Sequence, residues 1–167
     1  PPWRRPADAL LRISRPAAGA RERAYVEDVL ASGWWGYGPV CRHLERQAAE
    51  LIGSGRGVLA VSSCTAALHL ALAAAGVGPG DEVVVPAITY VATAAAVCHA
   101  GAVPVFADVD PASLMLTAAT VEPLLGPRVR AVIAVHYAGV AGEFDPVRAL
   151  VAGRGIAALM NRGNRDR

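Results

Sequence analysis

From Gly57 onward the chain alternates short β-rich runs with helical ones, and few architectures accept that order. Strands are predicted at Gly57 to Val61, Glu82 to Val85, Val103 to Ala107, Val129 to Val135 and Gly155 to Leu159, with helices near 64–75, 89–100, 118–125 and 145–152. Strands that alternate with helices build a largely parallel sheet with helices packed on it through right-handed crossovers. Ligands of such sheets belong at the carboxyl ends of the strands.

That rule sorts the glycine-rich stretches. Gly53-Ser54-Gly55-Arg56-Gly57 and Gly76-Val77-Gly78-Pro79-Gly80 both lead from a helix into a strand, the wrong end for cradling phosphate, and read as helix stops and turns. Neither carries the Lys-Ser or Lys-Thr of a phosphate-binding loop or the strand-to-helix setting of a dinucleotide fingerprint. Nucleotide hydrolysis and NAD binding are disfavoured accordingly.

Ahead of this region, residues 1–18 are rich in Pro and Arg without helical periodicity and read as a lead-in. Helices are predicted at about 20–31 and 40–52, the second with Val40, Leu44, Ala48 and Leu51 on one face and Pro39 in the first turn. The loop between them, Ser32 to Pro39, carries three aromatics and reads as a packed turn.

Composition narrows the function classes. With 54% hydrophobic and 18% charged residues over 167 positions the chain is globular. Its net charge is +2 and its arginines gather near the ends, so no basic stripe fits a nucleic-acid backbone. Cys41, Cys64 and Cys98 lack CxxC spacing and are expected as buried reduced thiols rather than a metal site or disulfides. The uncharged stretch from Ala87 to Ala107 is interrupted by His99, Gly101 and Pro104, which favours a soluble helix, turn and strand over a membrane span. No signal peptide is read, a cytoplasmic location is expected, and Pro1 in place of Met points to a sequence incomplete at its start.

Several residues fall at the ligand-binding edge. At Val61-Ser62-Ser63-Cys64-Thr65-Ala66 a strand turns into a helix, where free amides and the positive helix end favour an anion and Ser or Thr hydroxyls add donors. Ser62 or Ser63 acting simply as a helix cap accounts for the same residues. Tyr90 follows the next strand, where an aromatic can lie on a planar cofactor or serve as a rim residue. His136 and Tyr137 follow the fourth strand, a position suited to a ligand contact or to a structural histidine. Asp108 and Asp110, before Pro111, read as a turn and receive no catalytic role.

In order and spacing, these pieces resemble the DegT/DnrJ/StrS-type sugar-nucleotide aminotransferases. The resemblance rests on Ser63-Cys64-Thr65-Ala66-Ala67-Leu68-His69-Leu70, Gly78-Pro79-Gly80-Asp81-Glu82-Val83, Pro86 to Thr93, Gly101 to Asp110 and Val135-His136-Tyr137-Ala138-Gly139. It covers roughly nine-tenths of the chain but well under half of a full family member. It implies an α/β three-layer sandwich, the first part of the large domain of a fold-type I enzyme, spanning 19–159. It also implies pyridoxal phosphate as cofactor, glutamate and a keto-sugar nucleotide as substrates, and a homodimer. Leu114-Met115-Leu116-Thr117 and His136-Tyr137-Ala138-Gly139 look most like the branch that makes UDP-4-amino-4-deoxy-L-arabinose. By the resemblance Thr65 and Ala66 hold the cofactor phosphate with Ser63 or Cys64 beside them, Tyr90 stacks on the pyridine ring and His136 lies close by. Family members commonly have glycine, serine or alanine where Cys64 stands.

The pattern breaks after Leu159. Where the family has Glu-Asp-Ala-Ala and then His or Gln, this chain reads Met160-Asn161-Arg162-Gly163-Asn164, so Asn161 takes the place of the Asp that pairs with the pyridine nitrogen and Asn164 that of the His or Gln. Asparagine can hydrogen-bond a ring nitrogen but has no charge with which to hold a proton on it. All 16 Lys-plus-Arg residues are arginine, so no side chain can serve as the Schiff-base lysine, which the resemblance places beyond residue 167. No catalytic residue is assigned, and the chain as given is expected to have no turnover. The expected cause of the divergent tail at 160–167 is a frameshift or a truncated gene model. The alternative is a non-catalytic binding or oligomerisation module derived from the fold.

Overall fold

The computed structural model describes residues 16–53, 55 and 57–161. Most of the 1–18 lead-in and of the 160–167 tail, including Asn164, therefore lies outside the described residues. The chain divides into two units, Pro1–Ala60 and Val61–Arg167.

The first unit holds α1 (Ala20–Ser32) and α2 (Pro39–Ile52), close to their predicted ranges. Local signals delimit both. At the start of α1 the Glu22 carboxylate is held below its ordinary pKa by its own backbone N–H and then by the Gly19 N–H, which donates to it at 2.7 Å. Pro39 opens α2, and left-handed glycines close each helix, Gly33 at φ 70° and Gly53 at φ 63°. The expected apolar face of α2 is not covered: Val40 and Leu44 are exposed and Leu51 is 87% exposed. Neither helix contains a buried residue.

Two further expectations change here. The loop between the helices is organised by hydrogen bonds rather than packing, for Trp34, Trp35 and Tyr37 are all exposed. The Trp34 indole donates to the Tyr37 carbonyl at 2.9 Å, and its ring lies where a Cβ on Gly38 would have to go. Gly57 to Val61 is not a strand. A strand needs a neighbour for its amides and carbonyls, and the Ala60 N–H donates instead to the Glu45 carboxylate at 2.8 Å.

The second unit is the predicted parallel sheet. Among the described residues its four strands are β1 (Glu82–Pro86), β2 (Val103–Ala107), β3 (Val129–Val135) and β4 (Ala157–Asn161), all parallel in the order β2-β1-β3-β4. β4 begins two residues later than predicted, after the left-handed turn at Gly153 and Gly155. Pro104, which has no N–H to give a ladder, is tolerated because β2 lies at the edge of the described sheet.

Helices cover both faces. α3 (Cys64–Ala74) and α4 (Ala92–His99) pack on one, where Leu68, Leu72, Ala96 and Val97 meet Val83, Val85, Ala131 and Ile133. α5 (Ala118–Val121), continued by a 3-10 turn, and α6 (Asp145–Val151) cover the other through Val121, Val147 and Val151 against Val84, Val132 and Ala134. Strand alternation explains the partition, with one irregularity: a register shift beside Glu82 puts Val129 and Val132 on the same face. The result is a three-layer sandwich.

The uncharged stretch from Ala87 to Ala107 becomes a turn, α4 and β2, and no described helix is long and apolar enough to cross a membrane. α4 starts three residues later than predicted. Thr89 and Thr93 share a hydroxyl hydrogen bond of 2.8 Å, and the Thr93 N–H donates to the Tyr90 carbonyl, so the segment before Ala92 is a fixed turn.

Candidate functional site

The two ends of the sheet differ in kind. At the amino end, Arg128 pairs with Glu82, and Arg130 lies 3.5 Å from Asp81. These charges balance one another beside the strand starts. At the carboxyl end β1, β3 and β4 lead into Tyr90, His136 and Asn161, and β2 into Asp108.

Ser63 precedes α3 in extended conformation and caps it, its hydroxyl oxygen accepting the Ala66 N–H at 3.1 Å. The helix-cap reading of this serine therefore holds, and it commits the Ala66 amide. The Ala67 N–H donates to the Ser63 carbonyl at 3.0 Å, the first bond of the helical ladder. The amides of Cys64 and Thr65 lie ahead of that bond, at the positive end of an 11-residue helix. Cys64 is exposed and Thr65 half-buried, so the helix start forms an accessible shelf.

β3 and β4 end beside that shelf. The His136 N–H donates to the Asn161 carbonyl at 2.9 Å, extending the ladder by one residue. The Asn161 side chain in turn reaches α3: the Cys64 thiol donates to Asn161 Oδ1 at 3.6 Å, a normal length for a weak sulfur donor. Three elements thus meet at one point, the start of α3 and the ends of β3 and β4. Tyr90, 77% exposed, stands in the turn that follows β1, on the same edge of the sheet.

Of the predicted site residues, Ser63, Cys64, Thr65 and Ala66 form the shelf, with Asn161 in contact and His136 bonded beside it. The sequence carries no signal for the Cys64–Asn161 contact, whose partners are 97 positions apart. The expectation of buried thiols fails: Cys64 and Cys98 are exposed and Cys41 is half-buried, although all three are free. Cys64 is exposed because it opens a helix at the accessible edge.

Asp108 and Asp110 belong to a turn. Asp110 accepts the Ser113 N–H at 2.7 Å, which lowers its pKa, and the turn brings Leu114 to the left-handed value of φ 58°. Ala138, two residues past His136, is also left-handed, at φ 52°. A cavity of about 590 Å³ lies on the α6 side, lined by His136, Glu143, Asp145 and Met160 among others. Residues 63–66 and Tyr90 do not line it, and the donor chemistry for an anion lies at the helix start, not in this cavity.

The chain resembles known proteins in both sequence and structure. The profile of the DegT/DnrJ/EryC1/StrS aminotransferase family matches residues 16–160. An aminotransferase from Streptoalloteichus hindustanus, TlmJ, is 41% identical with a TM-score of 0.80, the match covering 90% of this chain and 42% of that one. DesV from S. venezuelae, solved in complex with a ketimine intermediate, is 34% identical at a TM-score of 0.80, with coverages of 86% and 40%. A Streptococcus pneumoniae protein assigned as a sugar aminotransferase, in its PLP form, is 33% identical at a TM-score of 0.78, with coverages of 84% and 36%. The chain thus spans about two fifths of the length of these structures.

Proposed function

Because the chain belongs to the DegT/DnrJ/EryC1/StrS aminotransferase family, we propose that it supplies the phosphate- and ring-binding part of a pyridoxal phosphate-dependent sugar aminotransferase. The observation that carries this reading is the convergence of the α3 start with Asn161 and His136 at the carboxyl edge of the sheet.

The residues fit the cofactor at its phosphate. The amides of Cys64 and Thr65, at the positive end of α3, would hold the phosphate dianion together with the Thr65 hydroxyl, while Ser63 keeps the helix start in shape. Tyr90, exposed on the same edge, is suited to cover one face of a planar ring. At the ring nitrogen the chain departs from the family pattern, because Asn161 is a neutral amide there. When bound, the cofactor supplies an electron sink for the carbanion formed at the substrate. Asn161 weakens that sink because it cannot hold a proton on the ring nitrogen by charge. The 167 residues contain no lysine, so the amine a working enzyme needs must come from outside them. The polypeptide by itself binds cofactor and does not turn over.

The finer reading follows the family: residues 19–159 as the partial cofactor domain, glutamate as donor, a keto-sugar nucleotide as acceptor, a homodimer and a cytoplasmic setting. The 4-keto-pentose branch is supported by Leu114 to Thr117 and His136 to Gly139.

Equilibrium dialysis tests the proposal. Pyridoxal phosphate should bind saturably and without a covalent link, inorganic phosphate should compete, and Thr65→Ala should weaken binding about tenfold, the loss of one charge-assisted hydrogen bond. Binding that ignores both phosphate and Thr65→Ala would place the cofactor elsewhere.

A further inference from the structure

The first unit has a pocket of its own, with a volume of about 350 Å³, lined by Tyr37, Arg42, Glu45, Arg46 and Gly57 among others. Arg42 and Arg46 are exposed and lie one turn apart on α2, so their side chains start about 5–6 Å from each other on one face. Like charges at that spacing repel, and an anion shared between them relieves the repulsion. The ion pairs among the described residues are made by Arg128, Arg130 and Arg148, and neither Arg42 nor Arg46 takes part in one. The carboxylate in the pocket is already committed. Glu45 accepts the Ala60 N–H through one oxygen and the Tyr37 hydroxyl through the other, at 2.8 Å each. Of the influences that lower its pKa, the Ala60 amide comes first, the Tyr37 hydroxyl second and the Arg42 charge last. Two cations thus stand beside one acid whose oxygens are held by neutral donors, and the pocket keeps an excess of positive charge. Gly57 leaves its part of the wall open, since a Cβ there would meet nothing within 4 Å.

We propose that this pocket binds a diphosphate group, with Arg42 and Arg46 each taking one of its two phosphates. The number of acceptor oxygens selects the ligand class. A carboxylate has two oxygens, which the fork of a single guanidinium uses up, whereas a diphosphate carries anionic oxygens on two neighbouring phosphorus atoms and can satisfy two forks at once. The pocket shares no residue with the α3 start, and the inference does not rest on the cofactor reading above. Pyrophosphate and a nucleoside diphosphate present the same group, so both serve as probes.

The experiment is equilibrium dialysis of labelled pyrophosphate against the 167-residue chain at low ionic strength, where exposed charges are least screened. Pyrophosphate should bind saturably, and Arg42→Gln and Arg46→Gln should each weaken that binding about tenfold or more, the loss of a charge-assisted pair. Thr65→Ala, which acts at the α3 start, should leave a saturable pyrophosphate site in place. Uridine and adenosine diphosphates binding more tightly than pyrophosphate would identify a nucleotide as the source of the group, and equal or weaker binding free pyrophosphate. Circular dichroism matching the unsubstituted chain confirms that each variant is folded. Tyr37 gives a second readout in the unsubstituted chain. Its pKa is raised chiefly by the bond to Glu45 and lowered by the Arg42 charge, so pyrophosphate that neutralises Arg42 should raise it further, read by absorbance. Pyrophosphate binding that ignores both arginine substitutions and is lost in Thr65→Ala overturns the inference while the cofactor reading stands. So does a Tyr37 titration that saturating pyrophosphate leaves in place. Absence of any saturable pyrophosphate binding also overturns it, whereas the cofactor reading falls only if pyridoxal phosphate itself fails to bind.

Discussion

The two units of this chain are specified in different ways. The sheet unit is held by burial: Leu72, Val83, Val84, Val85, Val97, Val121, Ile133 and Val147 have no accessible surface. The two helices of the first unit contain no fully buried residue, only half-buried ones such as Val29, Cys41 and Ala48, yet their boundaries are sharply set by Glu22, Pro39, Gly33 and Gly53. Burial makes a unit cooperative, whereas caps and hydrogen bonds fix local geometry with little dependence on the rest. Substitutions should separate the two.

The largest effect is expected inside the sheet. Ile133 lies in β3 between β1 and β4, packed against the α3/α4 layer. Ile133→Ala should cost roughly 2–5 kcal/mol in urea unfolding, from lost transfer energy and the cavity left behind. A loss under about 1 kcal/mol would mean that the unit does not behave as one packed core.

Gly38 tests the first unit's counterpart to a core. Its φ of −159° is open to any residue, so the glycine is required by the Trp34 indole and not by the backbone. Gly38→Ala should displace that ring, break its bond to the Tyr37 carbonyl and cost about 1–3 kcal/mol locally. Tryptophan fluorescence should register the change.

Ser63→Ala removes the α3 cap and should cost about 1 kcal/mol, read by urea unfolding. A smaller effect is expected at Glu45, whose carboxylate accepts the Ala60 N–H and the Tyr37 hydroxyl at 2.8 Å each. Those bonds lower the Glu45 pKa, the Ala60 amide most, and the carboxylate raises that of Tyr37. With its folded pKa depressed, Glu45 contributes stability above the ordinary glutamate value of 4.5, lost as pH falls through the folded pKa. Tyr37, with its pKa raised, contributes below the ordinary tyrosine value of 10.0 and loses that contribution as pH rises through the folded pKa. Glu45→Gln should remove the acid limb, and absorbance should show Tyr37 ionising at lower pH than before.

Much of the sheet unit was legible because periodicity reports burial. β2 and β3 fall on their predicted residues, and the pattern of Val83 to Val85 follows the two faces they enter. Gly57 to Val61 misled because β-rich composition cannot reveal whether a neighbouring strand exists, and the Ala60 amide finds a carboxylate instead. At the candidate site, position along the alternation put Tyr90 after β1 and His136 after β3, whereas Ser63 to Ala66 were assigned to the same edge through a strand at Gly57 to Val61 that the fold does not contain. The pairing of Cys64 with Asn161 was not readable, since it depends on how α3 lies over the end of β4.

The smallest effect is the most pointed. Leu51, 87% exposed near the end of α2, completes the apolar face that the heptad-like spacing of Val40, Leu44 and Ala48 predicts. Leu and Gln have similar helix propensities, so Leu51→Gln should change stability by less than about 0.5 kcal/mol, provided that face meets only water in the 167-residue chain. A loss of about 2 kcal/mol in the same urea experiment would instead be the size expected for a buried leucine. The face would then be covered in solution, and the contrast between a buried sheet and two locally capped helices would no longer hold. Repeating the measurement over a range of protein concentrations gives the origin of such a cover, because a contact between copies strengthens with concentration and one within a single chain does not.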